Sequence, residues 1–144
     1  MSFLLDTNVV SEWVKPRPDL GVITWLADVD EDRVFLSVVS LAEIRHGVER
    51  MAEGARRSRL DTWLREEVPL RFEGRILAVD ASVADAWGKM VVRSQAAGRT
   101  MSVMDAFLAA TAEVHRLTLV TRNVADFPIL GDSILNPWDS LVAR

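Results

Sequence analysis

Four acidic side chains stand where predicted strands end or helices begin: Asp6, Glu43, Asp105 and Asp126. In an open parallel sheet, ligands bind beyond the carboxyl ends of the strands, so side chains at these points share one crevice. Carboxylates that gather there raise one another's pKa unless positive charge lies among them. No Lys or Arg stands beside all four in the sequence. The pattern therefore predicts an acidic site that requires a cation.

A hard divalent cation meets that requirement, because Mg²⁺ and Mn²⁺ prefer oxygen ligands. The chain has no Cys and only two His, so the usual nitrogen and sulfur ligands of zinc are scarce. A hard cation activates water for attack on a phosphodiester and offsets the charge that develops. We expect four neighbouring polar residues to hold ligand waters or the phosphate: Thr7, Ser40, Thr121 and Asn123.

Each carboxylate also has a simpler structural interpretation. The segments 40–43 and 102–105 have the spacing of a capping box, in which a serine hydroxyl caps the first turn of a helix. Asp6 is suited to the same capping role, and Asp126 to a turn that it closes on its own backbone. Taken one at a time, these residues do not distinguish chemistry from helix capping. Only their joint placement favours a site.

The elements that must position these residues alternate between short apolar runs and longer amphipathic stretches. This alternation predicts an α/β fold with a largely parallel sheet. Strands are predicted over 3–5, 34–36, 75–79, 117–121 and 134–135. Helices are predicted after Asp6 as far as Lys15, after Asp19, from Ser40 through two antiparallel segments that break near Gly54 and end by Glu67, from Asp80 to Gly98, and over 103–116.

Composition limits the class of protein. The 144 residues are 49% hydrophobic and show no apolar run that could span a membrane and no secretion signal, so we expect one cytoplasmic domain over 1–144 with no membrane role. A net charge of −4 argues against coating nucleic acid by bulk electrostatics, but not against an enzyme with a basic face. Segment 45–59 holds five Arg and two Glu, which suits either a phosphate backbone or a solvated helical hairpin.

Four segments, in this order, resemble the motifs of the PIN-domain ribonucleases. They are Leu-Leu-Asp-Thr-Asn at 4–8, Ser-Leu-Ala-Glu-Ile at 40–44, Ser-Val-Met-Asp-Ala at 102–106 and Val-Thr-Arg-Asn-Val-Ala-Asp-Phe at 120–127. The resemblance is greatest to the VapC toxins of bacterial toxin–antitoxin pairs, in their FitB-like branch. Chains of that branch often finish with Asn-Pro-Trp, which stands here at 136–138. The resemblance extends over residues 3–138.

The resemblance implies a three-layer fold with a central, mostly parallel, twisted sheet flanked by helices. It implies a Mg²⁺- or Mn²⁺-dependent endoribonuclease, with RNA as substrate and a cognate VapB-like, DNA-binding antitoxin as partner. We also expect a homodimer. A structure-specific DNA nuclease and a catalytically silent partner-binding domain remain alternatives.

The same resemblance assigns individual residues. Asp6 and Asp105 match the principal metal ligands, and Glu43 matches the third acid. Either Asn123 or Asp126 occupies the fourth position, and with Asn123 there a second metal would be held less strongly. We therefore expect Asp6, Glu43, Asp105 and Asp126 to be catalytic, and Arg122, which directly precedes Asn123, to contact the substrate.

Overall fold

The sheet is parallel throughout. A computed structural model describes residues 1–139, so the last five positions of the predicted domain, 140–144, lie outside the described residues. Within residues 1–139 five strands form one sheet in the order β3-β2-β1-β4-β5, and all four pairings are parallel. The strands are β1 (Phe3–Leu5), β2 (Val34–Ser37), β3 (Ile76–Leu77), β4 (Thr118–Val120) and β5 (Ile134–Leu135).

The strand order reverses between β1 and β4. From β1 the chain adds β2 and β3 on one side, whereas β4 and β5 lie on the other side. Leu5 is in register with Val120, and the Asp6 N–H donates to the Val120 carbonyl at 2.9 Å. The segments that follow β1 and β4 therefore leave the sheet side by side, at Asp6 and Thr121. Ligand crevices of open α/β sheets form at such reversal points.

Seven α-helices connect and cover these strands within the described part of the chain. Three of the predicted caps are confirmed, since the side chains of Asp19, Asp80 and Ser102 accept the N–H groups of Val22, Val83 and Asp105. The helices are α1 (Thr7–Val10), α2 (Leu20–Asp28), α3 (Val38–Glu49), α4 (Ala55–Thr62), α5 (Val68–Arg71), α6 (Ala81–Ala96) and α7 (Val103–His115), with a π-helical turn (Trp63–Glu67) joining α4 to α5.

The prediction that Ser40 opens and caps a helix is wrong. Helix α3 begins at Val38, and its cap is Ser37, whose Oγ accepts the Val39 N–H at 3.0 Å. Ser37 has the extended backbone that a cap requires, because it is also the last residue of β2. The β-branched pair Val38 and Val39 resembles a continuing strand, which made the helix start look three residues later. Strands β3 and β4 are also shorter than predicted.

Two hydrophobic clusters pack on opposite faces of the sheet, which confirms the three layers. Leu5 belongs to the cluster that α1 to α5 cover, and Leu4 belongs to the cluster that α6 and α7 cover. Adjacent residues of β1 serve opposite layers because successive side chains of a strand point to opposite faces. Among residues 1–139, no helix is both long and apolar enough to cross a membrane.

Candidate active site

Asp6 lies at the end of β1 and both of its carboxylate oxygens are fixed. It is only 7% exposed. Its Oδ1 accepts the backbone N–H of Thr7 at 2.7 Å, and its Oδ2 accepts the hydroxyl of Thr121 at 2.8 Å. Thr121 is fully buried and follows β4. Two neighbouring strand ends therefore hold one carboxylate in a defined orientation at the reversal point.

Glu43 reaches the same place from α3. The Thr7 hydroxyl donates to Glu43 Oε1 at 2.9 Å, so one residue contacts Asp6 through its backbone and Glu43 through its side chain. Glu43 lies in the second turn of α3, as a consequence of the early start of that helix. In the structure the hydroxyls of Thr7 and Thr121 both orient carboxylates, whereas the sequence predicts that they hold ligand waters or the phosphate.

Asp105 and Asp126 come from the opposite side of the crevice. Asp105 is in the first turn of α7, and Asp126 ends a 3₁₀ turn (Val124–Asp126) beyond β4. The Asp126 N–H donates to the Asn123 carbonyl at 3.0 Å, so the turn is closed by the backbone, and among the described hydrogen bonds none involves the Asp126 side chain that was expected to close it. Both aspartates line one cavity of about 480 Å³, which also includes Arg99 and Thr100.

The electrostatics of the four acids are coupled. Burial raises the pKa of Asp6, and the charges of Glu43 and Asp126 raise it further, against hydrogen bonds from Thr121 and Thr7 that lower it. Burial likewise raises the pKa of Asp105, with additional contributions from Asp6 and Asp126, against hydrogen bonding by Ser102 that lowers it. The structure therefore brings all four predicted acids into one electrostatic cluster, which we call the acidic centre.

Within residues 1–139 the acidic centre forms no ion pair with a cationic side chain. Among the ion pairs of residues 1–139, none includes Asp6, Glu43, Asp105 or Asp126. Buried or crowded carboxylates without positive neighbours are costly to ionise. The ion pairs of the described residues therefore do not offset the charge of the four acids.

The donor set suits a hard cation. It consists of carboxylate oxygens with hydroxyl groups nearby, which are ligands typical of Mg²⁺ and Mn²⁺. Ser40, one turn before Glu43 on α3, is fully buried, and its Oγ has no hydrogen-bond partner in the described structure. Across residues 1–139, no three His, Cys, Asp or Glu side chains are arranged to chelate an ion as they stand. A site with three carboxylate ligands would therefore require these side chains to move closer together.

Polar groups around Thr121 complete one side of the crevice. The Asn123 N–H donates to Thr121 Oγ1 at 3.0 Å, and Asn8 Nδ2 donates to the same oxygen at 3.4 Å. Arg122 is anchored through its N–H to Asn8 Oδ1 at 3.4 Å, while its guanidinium lies 5.4 Å from the centre of the Trp138 ring. This cation–π contact directs Arg122 toward the Asn-Pro-Trp segment.

Sequence reasoning missed Glu12, the other buried acid of this region. Its Oε1 accepts the Asp19 N–H at 2.9 Å, and its Oε2 lies 2.5 Å from Lys15 Nζ. Burial opposes its ionisation, but hydrogen bonds from Lys15 and Asp19, with the charges of Lys15 and Arg122, lower the pKa of Glu12. The spacing of Glu12 and Lys15, three positions apart, was the available signal, although it does not reveal burial.

Two of the five arginines of the basic segment 45–59 are paired within the helical hairpin. Arg45 contacts Asp61 at 2.7 Å and Glu49 at 3.2 Å, and Arg57 contacts Glu49 at 2.8 Å. These guanidinium groups are committed to neighbouring carboxylates. The other three arginines of the segment are exposed and form no ion pair within residues 1–139, so both interpretations, the solvated hairpin and a phosphate-binding surface, stay open.

Comparisons with known proteins identify the family. A family model described as PIN domain matches residues 3–128. The chain is 35% identical over 135 residues to Toxin FitB of Neisseria gonorrhoeae, covering 94% of this chain and 97% of that protein. It is 32% identical over 136 residues to VapC ribonuclease Y4jK of Sinorhizobium fredii, covering 94% and 97%.

Solved structures give the same result for the fold. The FitAcB crystal structure from Neisseria gonorrhoeae superposes with a TM-score of 0.89 at 34% identity, covering 94% of this chain and 98% of that chain. VapBC2 from Rickettsia felis, solved with a promoter DNA fragment, superposes with a TM-score of 0.77 at 21% identity, covering 94% and 98%. At that lower identity the likeness concerns the fold alone.

Proposed function

Because this chain belongs to the PIN-domain family, we propose that it is the toxin of a toxin–antitoxin pair and acts as a Mg²⁺- or Mn²⁺-dependent endoribonuclease. Relatives that cover nearly all of it are named as a toxin and as a VapC ribonuclease. The observation that carries the proposal is the acidic centre at the reversal between β1 and β4, which has no cationic partner among the described residues. The proposed RNA substrate also implies action in the cytoplasm.

We assign the metal to Asp6, Asp105 and Glu43. Asp6 and Glu43 are already oriented by Thr7, and Asp6 also by Thr121. Such surrounding hydrogen bonds fix the direction of ligand oxygens and commonly tune metal affinity. When bound, Mg²⁺ or Mn²⁺ supplies positive charge to phosphate oxygens and makes water acidic enough to react near neutral pH.

The protein's own groups then position the water and the phosphate. The water oxygen forms a new bond to phosphorus, while the ester bond to the leaving ribose oxygen breaks and that oxygen takes up a proton. Asp126 is exposed and lines the same cavity as Asp105, which places its carboxylate where it can accept the proton of the attacking water. Ser40 Oγ, which is buried and has no hydrogen-bond partner among residues 1–139, is available to hydrogen-bond a water beside Glu43.

We propose Asp126, rather than Asn123, as the fourth acid. Asp126 lines the same cavity as Asp105, and its negative charge raises the pKa of both Asp6 and Asp105. Asn123 has a structural task, because its N–H donates to Thr121 Oγ1 and its carbonyl accepts the Asp126 N–H. In this assignment Asn123 holds the turn that presents Asp126.

Two protein partners belong to the proposal. The FitAcB and VapBC2 structures are toxin–antitoxin complexes, and another similar structure holds FitAB on a DNA fragment. A DNA-binding antitoxin is therefore the proposed partner of this chain. The expected homodimer remains a proposal. Sedimentation of the purified protein across a concentration series tests it, and a monomer at all concentrations would contradict it.

RNA cleavage tests the proposed activity. The purified protein is incubated with labelled RNA and, in parallel, single-stranded DNA and duplex DNA of the same sequence, with Mg²⁺, Mn²⁺ or EDTA. We expect cuts in RNA alone, abolished by EDTA and restored by added metal. Asp6→Asn should lower the rate at least about 100-fold, because it removes one ligand charge.

The outcomes separate the remaining alternatives. Cleavage of duplex DNA in preference to RNA would indicate the DNA nuclease. No cleavage of any polymer with either metal would indicate a silent binding domain. Cleavage that persists in EDTA, or in the Asp6→Asn protein at the wild-type rate, would contradict the metal assignment.

A further inference from the structure

Two adjoining cavities form a groove that begins at the acidic centre. The first, about 480 Å³, is lined by Asp105, Asp126 and Arg99, and the second, about 360 Å³, by Arg93, Arg99 and Ile129. They share Arg99 and Pro128 in their linings, so the two cavities lie side by side with these two residues at their common boundary. We call this path the Arg99 groove. It joins two carboxylates at one end to guanidinium groups farther along.

Arg99 is an exposed and uncommitted cation in this groove. Within residues 1–139 it forms no ion pair, whereas Arg93 is paired with Glu113 at 3.0 Å. Arg99 therefore lines the same cavity as Asp105 and Asp126 without neutralising either of them. A guanidinium in this position keeps its donors available for an anion.

The backbone of Arg99 is held firmly at the end of α6. Gly98 adopts a φ of 73°, a conformation that favours glycine, and its N–H donates to the Gln95 carbonyl at 3.0 Å. The Arg99 N–H then donates to the Ser94 carbonyl at 2.8 Å, and Ser94 is buried. The start of the Arg99 side chain is thus fixed relative to the groove, which lowers the entropy lost when it binds an anion.

From these observations we infer that Arg99 binds a backbone phosphate of the RNA strand next to the phosphate that is cut. This inference rests on the proposed nuclease function. Charge complementarity supports it, because the acidic centre with its cation takes the scissile phosphate while the neighbouring phosphate meets the guanidinium. Phosphate contacts of this kind fix the register of a strand without reading its sequence.

The test compares Arg99→Gln with Arg116→Gln. Arg116 is also exposed and has no ion pair within residues 1–139, but it follows the opposite end of α7 from Asp105, about 16 Å away at 1.5 Å per residue. On an RNA that the wild-type protein cuts, Arg99→Gln should raise KM about tenfold, with kcat changed less than about twofold. Arg116→Gln should leave both unchanged, and Arg99→Lys should restore part of the loss because it keeps the charge.

Salt dependence gives a second readout that does not require cleavage. Binding of a fluorescein-labelled single-stranded RNA is measured by anisotropy at several salt concentrations in the presence of Ca²⁺. Loss of one phosphate contact should reduce the slope of log affinity against log salt by about 0.7 in Arg99→Gln. The slope of Arg116→Gln should equal that of the wild type.

The results distinguish failure of the inference from failure of the proposed function. If the wild type cuts RNA and the two variants have the same KM and salt slope, the inference is wrong and the nuclease stands. If the wild type cuts no RNA, the proposed activity fails, and the anisotropy series alone decides the role of Arg99. A loss of antitoxin affinity in Arg99→Gln with unchanged RNA binding would assign the groove to the antitoxin and overturn the inference.

Discussion

The Thr121 hydroxyl donates a 2.8 Å hydrogen bond to Asp6 Oδ2, which joins the ends of β1 and β4 across 115 positions of sequence. This bond favours the ionised form of Asp6, because a donor stabilises a carboxylate more than a carboxylic acid. It acts against burial, which raises the pKa of the same group. Thr121 therefore orients the carboxylate of Asp6 and favours its ionised form.

Thr121→Val should expose this dual role. The substitution keeps the shape but removes the hydroxyl, so the pKa of Asp6 rises further above its ordinary value. Because the ionised form is needed, the acidic limb of the pH–activity profile should move to higher pH, and unfolding free energy should fall by about 1–2 kcal/mol. Thr121→Ser retains the hydroxyl and is the control. Identical pH profiles for the Val and Ser variants would contradict the assignment.

Asp105→Asn should make the metal-free protein more stable at neutral pH. The pKa of Asp105 is raised in the folded state, so its ionisation opposes folding once the pH exceeds the ordinary value of 3.8. The penalty grows until the raised folded pKa is passed and is then constant. Because Asp105 is partly exposed, we expect a Tm gain of only about 1–3 °C in EDTA.

Metal should reverse that order. Mg²⁺ or Mn²⁺ should raise the Tm of the wild-type protein and have little effect on Asp105→Asn, measured by differential scanning calorimetry. Asp132→Asn, at an exposed turn residue before β5, is the control for removing one negative charge. A metal-induced shift of equal size in Asp105→Asn would show that Asp105 is not a ligand.

Ser37→Ala and Ser40→Ala should differ although both serines are buried in the same segment. Ser37 caps α3, so its loss should lower unfolding free energy by about 1 kcal/mol. Ser40 Oγ has no described partner, so its loss should leave stability unchanged or slightly higher. Urea unfolding measures both.

Activity separates the two serines in the opposite direction. Ser40→Ala should reduce kcat about tenfold, which is the usual scale of loss when a residue that orients a ligand or water is replaced. Ser37→Ala, assayed well below its Tm, should keep the wild-type kcat. A stable Ser40→Ala protein with full activity would remove Ser40 from the site.

Glu12→Gln should destabilise the protein only while Glu12 is charged. Lys15 and the Asp19 N–H lower the pKa of Glu12 against the effect of burial. A lowered acid pKa gives stability that is complete above the ordinary value of 4.5 and lost as pH falls through the folded pKa. We expect a deficit of about 1 kcal/mol at pH 7 that shrinks toward zero in acid. A deficit that is independent of pH would show that Glu12 acts through packing alone.

The parts of the fold that depend on residues close together in the sequence were predictable. The caps at Asp80 and Ser102 follow from the residue type before an amphipathic run, and both are present. Helix α3 begins at Val38 and is capped by Ser37. This start was not predictable in the same way, because strand β2 passes directly into α3 and the two valines suit either element. Local preference cannot separate a strand from a helix there.

The sequence was enough to predict which acidic residues form the candidate site, but not which contacts they make. Strand ends and helix starts identified Asp6, Glu43, Asp105 and Asp126, and their electrostatic coupling is consistent with one centre. Arg99 could not be found this way. In the sequence Arg99 is only the residue after a helix-ending glycine. It lines the same cavity as Asp105 and Asp126 because α6 packs against α7.

The acidic centre takes its members from both layers and needs a late strand to close it. Strand β1 pairs directly with β4, whose following residue Thr121 fixes Asp6. A nascent chain that has emerged only as far as α6 carries two of the four acids, but neither Asp105 nor the partner of Asp6. The proposed hydrolytic activity therefore requires a polypeptide translated at least through β4, and shorter nascent chains lack it.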